Sequence, residues 1–168
     1  GIGVLTTAAK AELASPEAMA LAHRLMTTLN KAARDCMVRY AVHACTDVTG
    51  FGLLGHAFEM AQGSDTHLTL FPGEIDLIPE ALEFARDGIL PAGMYRNRHY
   101  AEAAVDPGST ELAVQDMLYD PQTSGGLLIA AAPEDADALL RELRGAVPSA
   151  QRIGVVEAYN GGPRISLR

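Results

Sequence analysis

The sequence predicts an α+β fold, in which a mixed β-sheet is covered by helices on at least one face. Segments with one apolar helical face are interspersed with short β-prone runs, and they do not follow the strict βαβ repeat of a parallel sheet. The chain has 168 residues, of which 48% are hydrophobic and 20% charged, enough for one sizeable core. We therefore expect residues 1–168 to form a single domain.

The N-terminal part is expected to hold one strand and two helices. The opening run GIGVLTTA is β-compatible, and residues 1–8 are therefore predicted to be a strand. Ser15 followed by Pro16 is a typical helix start, because the hydroxyl can cap the helix and proline suits its first turn. The apolar residues Ala22, Leu25, Met26 and Leu29 then share one face of this helix. A second helix is expected over residues 31–40.

The remaining elements follow from apolar periodicity bounded by Pro and Gly. Residues 91–110 lack a sustained period and are interpreted as a long surface loop. The other predicted elements are a strand at 42–46, a helix from Gly52 that ends near Gly63, a strand at 66–71, a helix from Pro79 to Gly88, a helix at 111–118, a strand at 127–131, a helix from Pro133 to Gly145, and strands at 153–156 and 165–167.

Charge and hydropathy exclude two classes of function. The formal net charge is −8 at pH 7, whereas non-specific nucleic-acid binding needs a basic face. No apolar run approaches the roughly 20 residues needed to cross a bilayer, and no signal peptide heads the chain. We expect a cytoplasmic protein that binds neither nucleic acid nor membrane. Because residue 1 is Gly and not Met, we also expect a piece of a longer protein.

A single carboxylate, Asp47, lies at a predicted strand-to-helix junction in ACTDVTGFGLLGH, residues 44–56. The helix dipole, backbone N–H groups and nearby Gly50 and Gly52 suit a phosphate at such a junction. A carboxylate would repel a bare anion, so the pattern favours a divalent cation such as Mg²⁺ between the two charges. The alternative is that Asp47 only caps the helix or stabilises the turn. The pattern alone leaves both open.

A second candidate loop is DPQTSGGLLIA, residues 120–130. The hydroxyls of Thr123 and Ser124, with N–H groups around Gly125 and Gly126, could face an anion. The loop could equally be a tight turn that needs a positive φ at one of the two glycines. No Lys follows the glycines, so the loop is not a Walker motif.

Other polar residues give weaker signals. His43 and His56 flank Asp47 at a spacing that matches no zinc motif, so structural roles are expected for both. The two cysteines, Cys36 and Cys45, are expected to be buried free thiols. A small basic cluster in the 91–110 segment is expected to be solvated and consists of Arg96, Arg98 and His99.

The strings HACTDVTGFGLLGH (43–56) and DPQTSGGLL (120–128) together resemble the signatures of the selenophosphate synthetase (selenide, water dikinase) family. Shorter matches, including GVLTTA, EMA and PAGMYRN, extend the resemblance over essentially the whole chain. It implies the C-terminal domain fold of the aminoimidazole ribonucleotide synthetase superfamily. It also implies an enzyme that converts ATP, selenide and water into selenophosphate, AMP and phosphate with Mg²⁺, and that is a homodimer at full length.

The resemblance assigns roles to two parts of the sequence. Asp47 takes the position of a magnesium ligand of the family, and the loop at 120–126 would lie on the phosphate side of the ATP site. The family's glycine-rich loop, with its Cys or selenocysteine and Lys, and its further metal-binding aspartates belong to an N-terminal domain that is absent from these residues. Neither Cys36 nor Cys45 occupies that place.

We therefore expect the C-terminal domain of a two-domain synthetase, whose partner is its own N-terminal ATP-binding domain. The isolated chain is expected to be inactive, because one carboxylate cannot hold Mg²⁺ tightly without further ligands. Two alternatives remain open. The chain could be a non-catalytic folding, docking and dimerisation module, or part of another ATP-using member of the superfamily that acts on a carboxylate or amide.

Overall fold

The computed structural model describes all 168 residues as eight helices and six strands. The helices are α1 (Ile2–Lys10), α2 (Pro16–Thr27), α3 (Lys31–Met37), α4 (Gly52–Gly63), α5 (Pro79–Arg86), α6 (Ala92–Ala101), α7 (Leu112–Tyr119) and α8 (Pro133–Ala146). The strands are β1 (Val42–Asp47), β2 (Thr66–Leu70), β3 (Val105–Asp106), β4 (Leu127–Ala131), β5 (Gly154–Ala158) and β6 (Ile165–Leu167). No helix has both the length and the apolar composition that a bilayer crossing requires.

The strands form two sheets. β1 and β4 pair antiparallel as a two-stranded sheet. The second sheet has the order β3-β6-β2-β5, with β6 parallel to both β3 and β2, and β5 antiparallel to β2. The larger sheet is therefore mixed, and with the surrounding helices it confirms the predicted α+β class.

Three apolar clusters hold the layers together. The largest joins α4, α6 and α7 to strands of both sheets. A second packs α1 and α2 against α5 and α7, and a third packs α3 and α8 against the two-stranded sheet. Burying one aliphatic side chain contributes about 1.5–3 kcal/mol, so these clusters supply the main stabilisation of the domain. The first cluster matters most for function, because α4, α6 and α7 all reach the loops that carry the two sequence motifs.

The predicted strand at residues 1–8 is wrong, because this segment forms α1. Its buried side chains Ile2, Leu5 and Ala8 recur every three residues, as on one helical face. The Thr7 hydroxyl donates to the carbonyl of Gly3 at 2.8 Å, a bond that satisfies the threonine within the helix. Packing against α2 and α5 thus overrides the β propensity of the run.

The predicted loop at 91–110 is also wrong, because it contains α6. Met94 and Ala101 are buried on this helix, and the buried residue between them is Asn97. A polar residue in the middle of the buried face removes the apolar period on which the prediction relied. The helix is held by its position between α4 and α7, both of which it contacts.

The other predicted elements are present, with shifts of a few residues at their ends. Ser15 caps α2 by accepting the N–H of Ala18 at 3.1 Å. Gly88 follows α5 with φ +77°, as expected for a residue that ends a helix. Both cysteines are free, but only Cys36 is buried; Cys45 is exposed on β1, which corrects its predicted burial.

Candidate functional site

The two sequence motifs meet at one end of the two-stranded sheet. Asp47, the last residue of β1, pairs with Leu127, the first residue of β4. Because the strands are antiparallel, the turn at 48–51 leaves the sheet where the loop at 120–126 enters it. Two stretches about 70 residues apart in the sequence therefore form one continuous surface.

Backbone hydrogen bonds join the two loops directly. The N–H of Val48 donates to the carbonyl of Gly126 at 2.9 Å, and the N–H of Gln122 donates to the carbonyl of Thr49 at 3.0 Å. Each loop thus supplies hydrogen-bond partners for part of the other loop's backbone. Moving one loop would break bonds made by the other.

Two glycines permit this close contact. Gly52 opens α4 with φ +69°, and a Cβ at this position would lie 2.7 Å from the carbonyl oxygen of Tyr119. A Cβ on Gly125 would lie 2.1 Å from the carbonyl oxygen of Val48. Both distances are far below van der Waals contact. The two positions therefore require glycine because backbone meets backbone there.

Thr123 and Ser124 are exposed on the second loop, and their hydroxyls form no hydrogen bond within the chain. The positive φ that was expected at Gly125 or Gly126 is found instead at Ser124, where φ is 51°. Gly125 cannot carry a side chain because a Cβ would clash with Val48, whereas Gly126 is exposed and has no atom within 4 Å of the position that a Cβ would take. The contact of this loop with phosphate stays a prediction.

The carboxylate of Asp47 is exposed and makes no hydrogen bond or ion pair within the chain. The residue at the N-cap of α4 is Phe51, and no side chain caps that helix. The alternative that Asp47 is a helix cap is therefore wrong. No group of three or more His, Cys, Asp or Glu side chains gathers around it or elsewhere in the chain. Asp47 is a single free carboxylate at the meeting point of the loops.

Cys45 lies two residues before Asp47 in β1, so both side chains project from the same side of the strand. Partial burial, and then the charge of Asp47, raise the pKa of the Cys45 thiol. A raised pKa disfavours the thiolate, which is the nucleophilic form of cysteine. Cys45 therefore lacks the environment of a catalytic thiol.

His56 fixes the turn that follows Asp47. Its Nδ1 lies 3.2 Å from the Glu59 carboxylate and its Nε2 lies 3.1 Å from the Thr49 hydroxyl. Because a carboxylate only accepts, Nδ1 is the donor to Glu59, while the Thr49 hydroxyl is the hydrogen-bond partner of Nε2. The expected structural role of His56 is thereby confirmed. His43 is exposed near the other end of β1.

The basic residues of α6 do not form one cluster. Arg98 turns inward, where it pairs with Asp116 and lies 5.2 Å from the centre of the Tyr119 ring. Burial raises the pKa of Tyr119 to about 12, so this phenol is neutral beside the guanidinium. Arg96 and His99 are exposed as expected, but the prediction of a solvated Arg98 is wrong.

Asp120, the first residue of the DPQTSGG motif, has a structural role that the sequence did not reveal. Its side chain is fully buried and accepts the backbone N–H of Gly3 at 2.8 Å and the side-chain amide of Gln122 at 2.9 Å. Burial raises the pKa of this carboxyl group, while the bond from Gly3 opposes the increase. Asp120 thus attaches the start of α1 to the second motif loop.

We expect Asp120→Ala to destabilise the protein by about 1–3 kcal/mol, because the N–H of Gly3 is left without its acceptor. Urea unfolding followed by circular dichroism measures the change. Asp137→Ala is the control, since Asp137 is an exposed aspartate on α8 that pairs with nothing. Equal stability of the two variants would contradict the role assigned to Asp120.

Fold and site together define an α+β domain that presents one unpaired carboxylate at the junction of two interlocked loops. Residues 1–164 match the family model described as "AIR synthase related protein, C-terminal domain". Since the match covers nearly the whole chain, the chain belongs to this family. The fold implied by the sequence resemblance is thereby confirmed.

Several curated proteins are similar to this chain, and each is named selenide, water dikinase. The protein from Treponema denticola is 44% identical over 143 residues, which is 85% of this chain and 40% of that protein. That from Clostridium botulinum is 43% identical over 157 residues, 93% of this chain and 46% of the relative. That from Citrifermentans bemidjiense is 45% identical over 163 residues, 97% and 47% respectively. The chain thus spans less than half the length of these relatives.

Proposed function

We propose that the chain is the C-terminal domain of a two-domain selenophosphate synthetase and that it supplies one magnesium ligand, Asp47, to an ATP site. The enzyme would convert ATP, selenide and water into selenophosphate, AMP and phosphate. The observation that carries the proposal is the free carboxylate of Asp47 at the meeting point of the two loops. The names of the relatives support the choice of reaction.

The donor set fits Mg²⁺ as part of a shared site. Mg²⁺ prefers oxygen ligands and is commonly held by one or two carboxylates together with substrate phosphates. Asp47 offers such an oxygen, and its side chain has no competing partner within the chain. When bound, the ion would neutralise negative charge on the triphosphate. This offset matters because the chain has a net charge of −8 and would otherwise repel ATP.

The remaining ligands and the reacting groups would come from the N-terminal domain of the same enzyme. A lone carboxylate holds Mg²⁺ weakly. No cluster of three or more His, Cys, Asp or Glu side chains in this chain supplies the missing ligands. The exposed hydroxyls of Thr123 and Ser124, with the backbone of Gly125 and Gly126, would lie beside the phosphates. A homodimer of the full-length enzyme is part of the same proposal.

We expect the full-length enzyme, supplied with ATP, Mg²⁺ and selenide, to release AMP and to form a selenophosphate signal in ³¹P NMR spectra. The isolated 168-residue chain should produce neither, because it holds only part of the site. Both proteins are assayed at the same concentration, with and without selenide, to separate turnover from background hydrolysis of ATP.

Two outcomes would contradict the proposal. AMP formation by the isolated, metal-replete chain would show that the site is complete without a second domain. Full-length enzyme that ignores selenide but phosphorylates a carboxylate or amide would instead indicate another ATP-using member of the superfamily.

A further inference from the structure

Asn97 on α6 bonds the turn of the first motif and the residue just before the second motif loop. Its side-chain amide donates to the carbonyl of Gly50 at 2.8 Å and to the carbonyl of Tyr119 at 2.9 Å. Gly50 lies in the turn after Asp47, and Tyr119 immediately precedes the second loop. The side chain is almost fully buried, with 6% of its surface exposed.

The chemistry of the contact leaves no freedom in the orientation of this amide. Both partners are carbonyl oxygens, which only accept, so the nitrogen of the amide must face them. Its two hydrogens are each directed at one carbonyl, and the donor capacity of the nitrogen is used completely. Aspartate has the same shape, but when ionised it would present oxygen to two oxygens.

Three groups hydrogen-bond the turn after Asp47, and Asn97 is one of them. His56 holds the Thr49 side chain from α4, and the second loop holds the backbone of the turn. Asn97 adds the only side-chain bond that reaches Gly50. Of these groups, the Asn97 side chain alone bonds the turn and the end of α7 at once.

We propose that Asn97 is a positioning residue that sets the place of Asp47 relative to the loop at 120–126. The inference rests on the proposed function for its catalytic consequence. The side chain of Asp47 has no hydrogen-bond partner to orient it, so its placement depends on the backbone on either side. The pairing of β1 with β4 holds one side, and the turn at 48–51 holds the other. Displacement by about 1 Å of a group that must meet a ligand is enough to reduce activity by roughly 100-fold.

The test compares Asn97→Ala with Asn97→Gln, which keeps both donors on a longer side chain, and with a variant of Ile165. Ile165 is a fully buried residue of β6 in the other sheet, and Ile165→Val or Ile165→Ala is chosen to match the loss in Tm. In the full-length enzyme, the Mg²⁺ concentration for half-maximal activity should rise at least about 10-fold in Asn97→Ala. Mutation of residues that orient a metal ligand typically lowers metal affinity by this much or more. Asn97→Gln should recover part of this loss, and the Ile165 variant should retain the wild-type value.

A second readout does not depend on activity. Hydrogen–deuterium exchange of peptides that cover 47–52 and 120–126 should be faster in Asn97→Ala than in the Ile165 variant of equal Tm. Unchanged exchange in both segments, or an Mg²⁺ requirement that follows Tm equally in the two variants, would overturn the inference. If the wild-type enzyme makes no AMP while exchange still rises in Asn97→Ala, the proposed reaction fails and the positioning of the loops by Asn97 stands.

Discussion

Asp47→Asn in the full-length enzyme is expected to lower turnover by at least roughly 100-fold. Mutation of a residue that only orients a metal ligand already reduces metal affinity or activity by about 10–100-fold, and loss of the ligand itself should cost more. Asparagine keeps the size of the side chain but removes the negative charge that attracts Mg²⁺. The free energy of unfolding should change by less than about 0.5 kcal/mol, since the carboxylate is exposed and makes no hydrogen bond or ion pair. Initial rates of AMP formation and urea unfolding measure the two quantities.

Asp137→Asn provides the matched control for this experiment. It makes the same change of charge at an exposed aspartate on α8 and should leave both rate and stability unaltered. Raising the Mg²⁺ concentration should restore part of the activity of Asp47→Asn and leave the control unaffected. A role of Asp47 in the turn predicts the reverse pattern, in which stability falls by about 1 kcal/mol and activity is largely kept. That result would end the assignment of Asp47 as a metal ligand.

The sequence predicted the elements whose signals are local. Ser15 and Pro16 mark the start of α2, and the apolar run at Leu127–Ala131 forms β4 with the predicted bounds. Such signals act over a few residues, so they are visible without knowledge of neighbours in space. The prediction for residues 1–8 was wrong because contacts distant in the sequence determine the structure there. The β-compatible side chains are buried as one face of α1, and Asp120 accepts a hydrogen bond from the start of this helix.

The candidate site also depends on contacts in space that the sequence does not show. From the residues alone, Asp47 and the DPQTSGG loop were found separately, one directly after a predicted strand and the other directly before one. Only the family resemblance assigned both to the same ATP site. Their contact depends on the register of β1 and β4, which the sequence does not specify across the roughly 80 intervening residues. Asn97 was missed because a buried asparagine in a helix looks like a break in apolar periodicity. Its presence is explained only by its two acceptors in space, the carbonyls of Gly50 and Tyr119.

Gly52→Ala is expected to produce the largest loss of stability, about 2–5 kcal/mol. The left-handed φ of +69° costs an alanine about 1–2 kcal/mol. Overpacking adds about 1–3 kcal/mol, because the new methyl group would lie 2.7 Å from backbone atoms of Tyr119, which cannot rotate away as a side chain can. Urea unfolding of the variant should show a lower midpoint with an unchanged m-value.

Gly63→Ala tests whether this loss comes from the site and not from adding a methyl group to α4. Gly63 ends the same helix with ordinary φ and open space around its Cα, so alanine should be neutral or stabilise by at most about 1 kcal/mol. The two substitutions are chemically identical, and they differ in the backbone conformation of the site and in the space around the new methyl group. If both variants have wild-type stability, the contact between the start of α4 and the end of α7 is loose enough to admit a Cβ. The two motif loops would then not be interlocked, and Asp47 would lose the rigid support on which its proposed role depends.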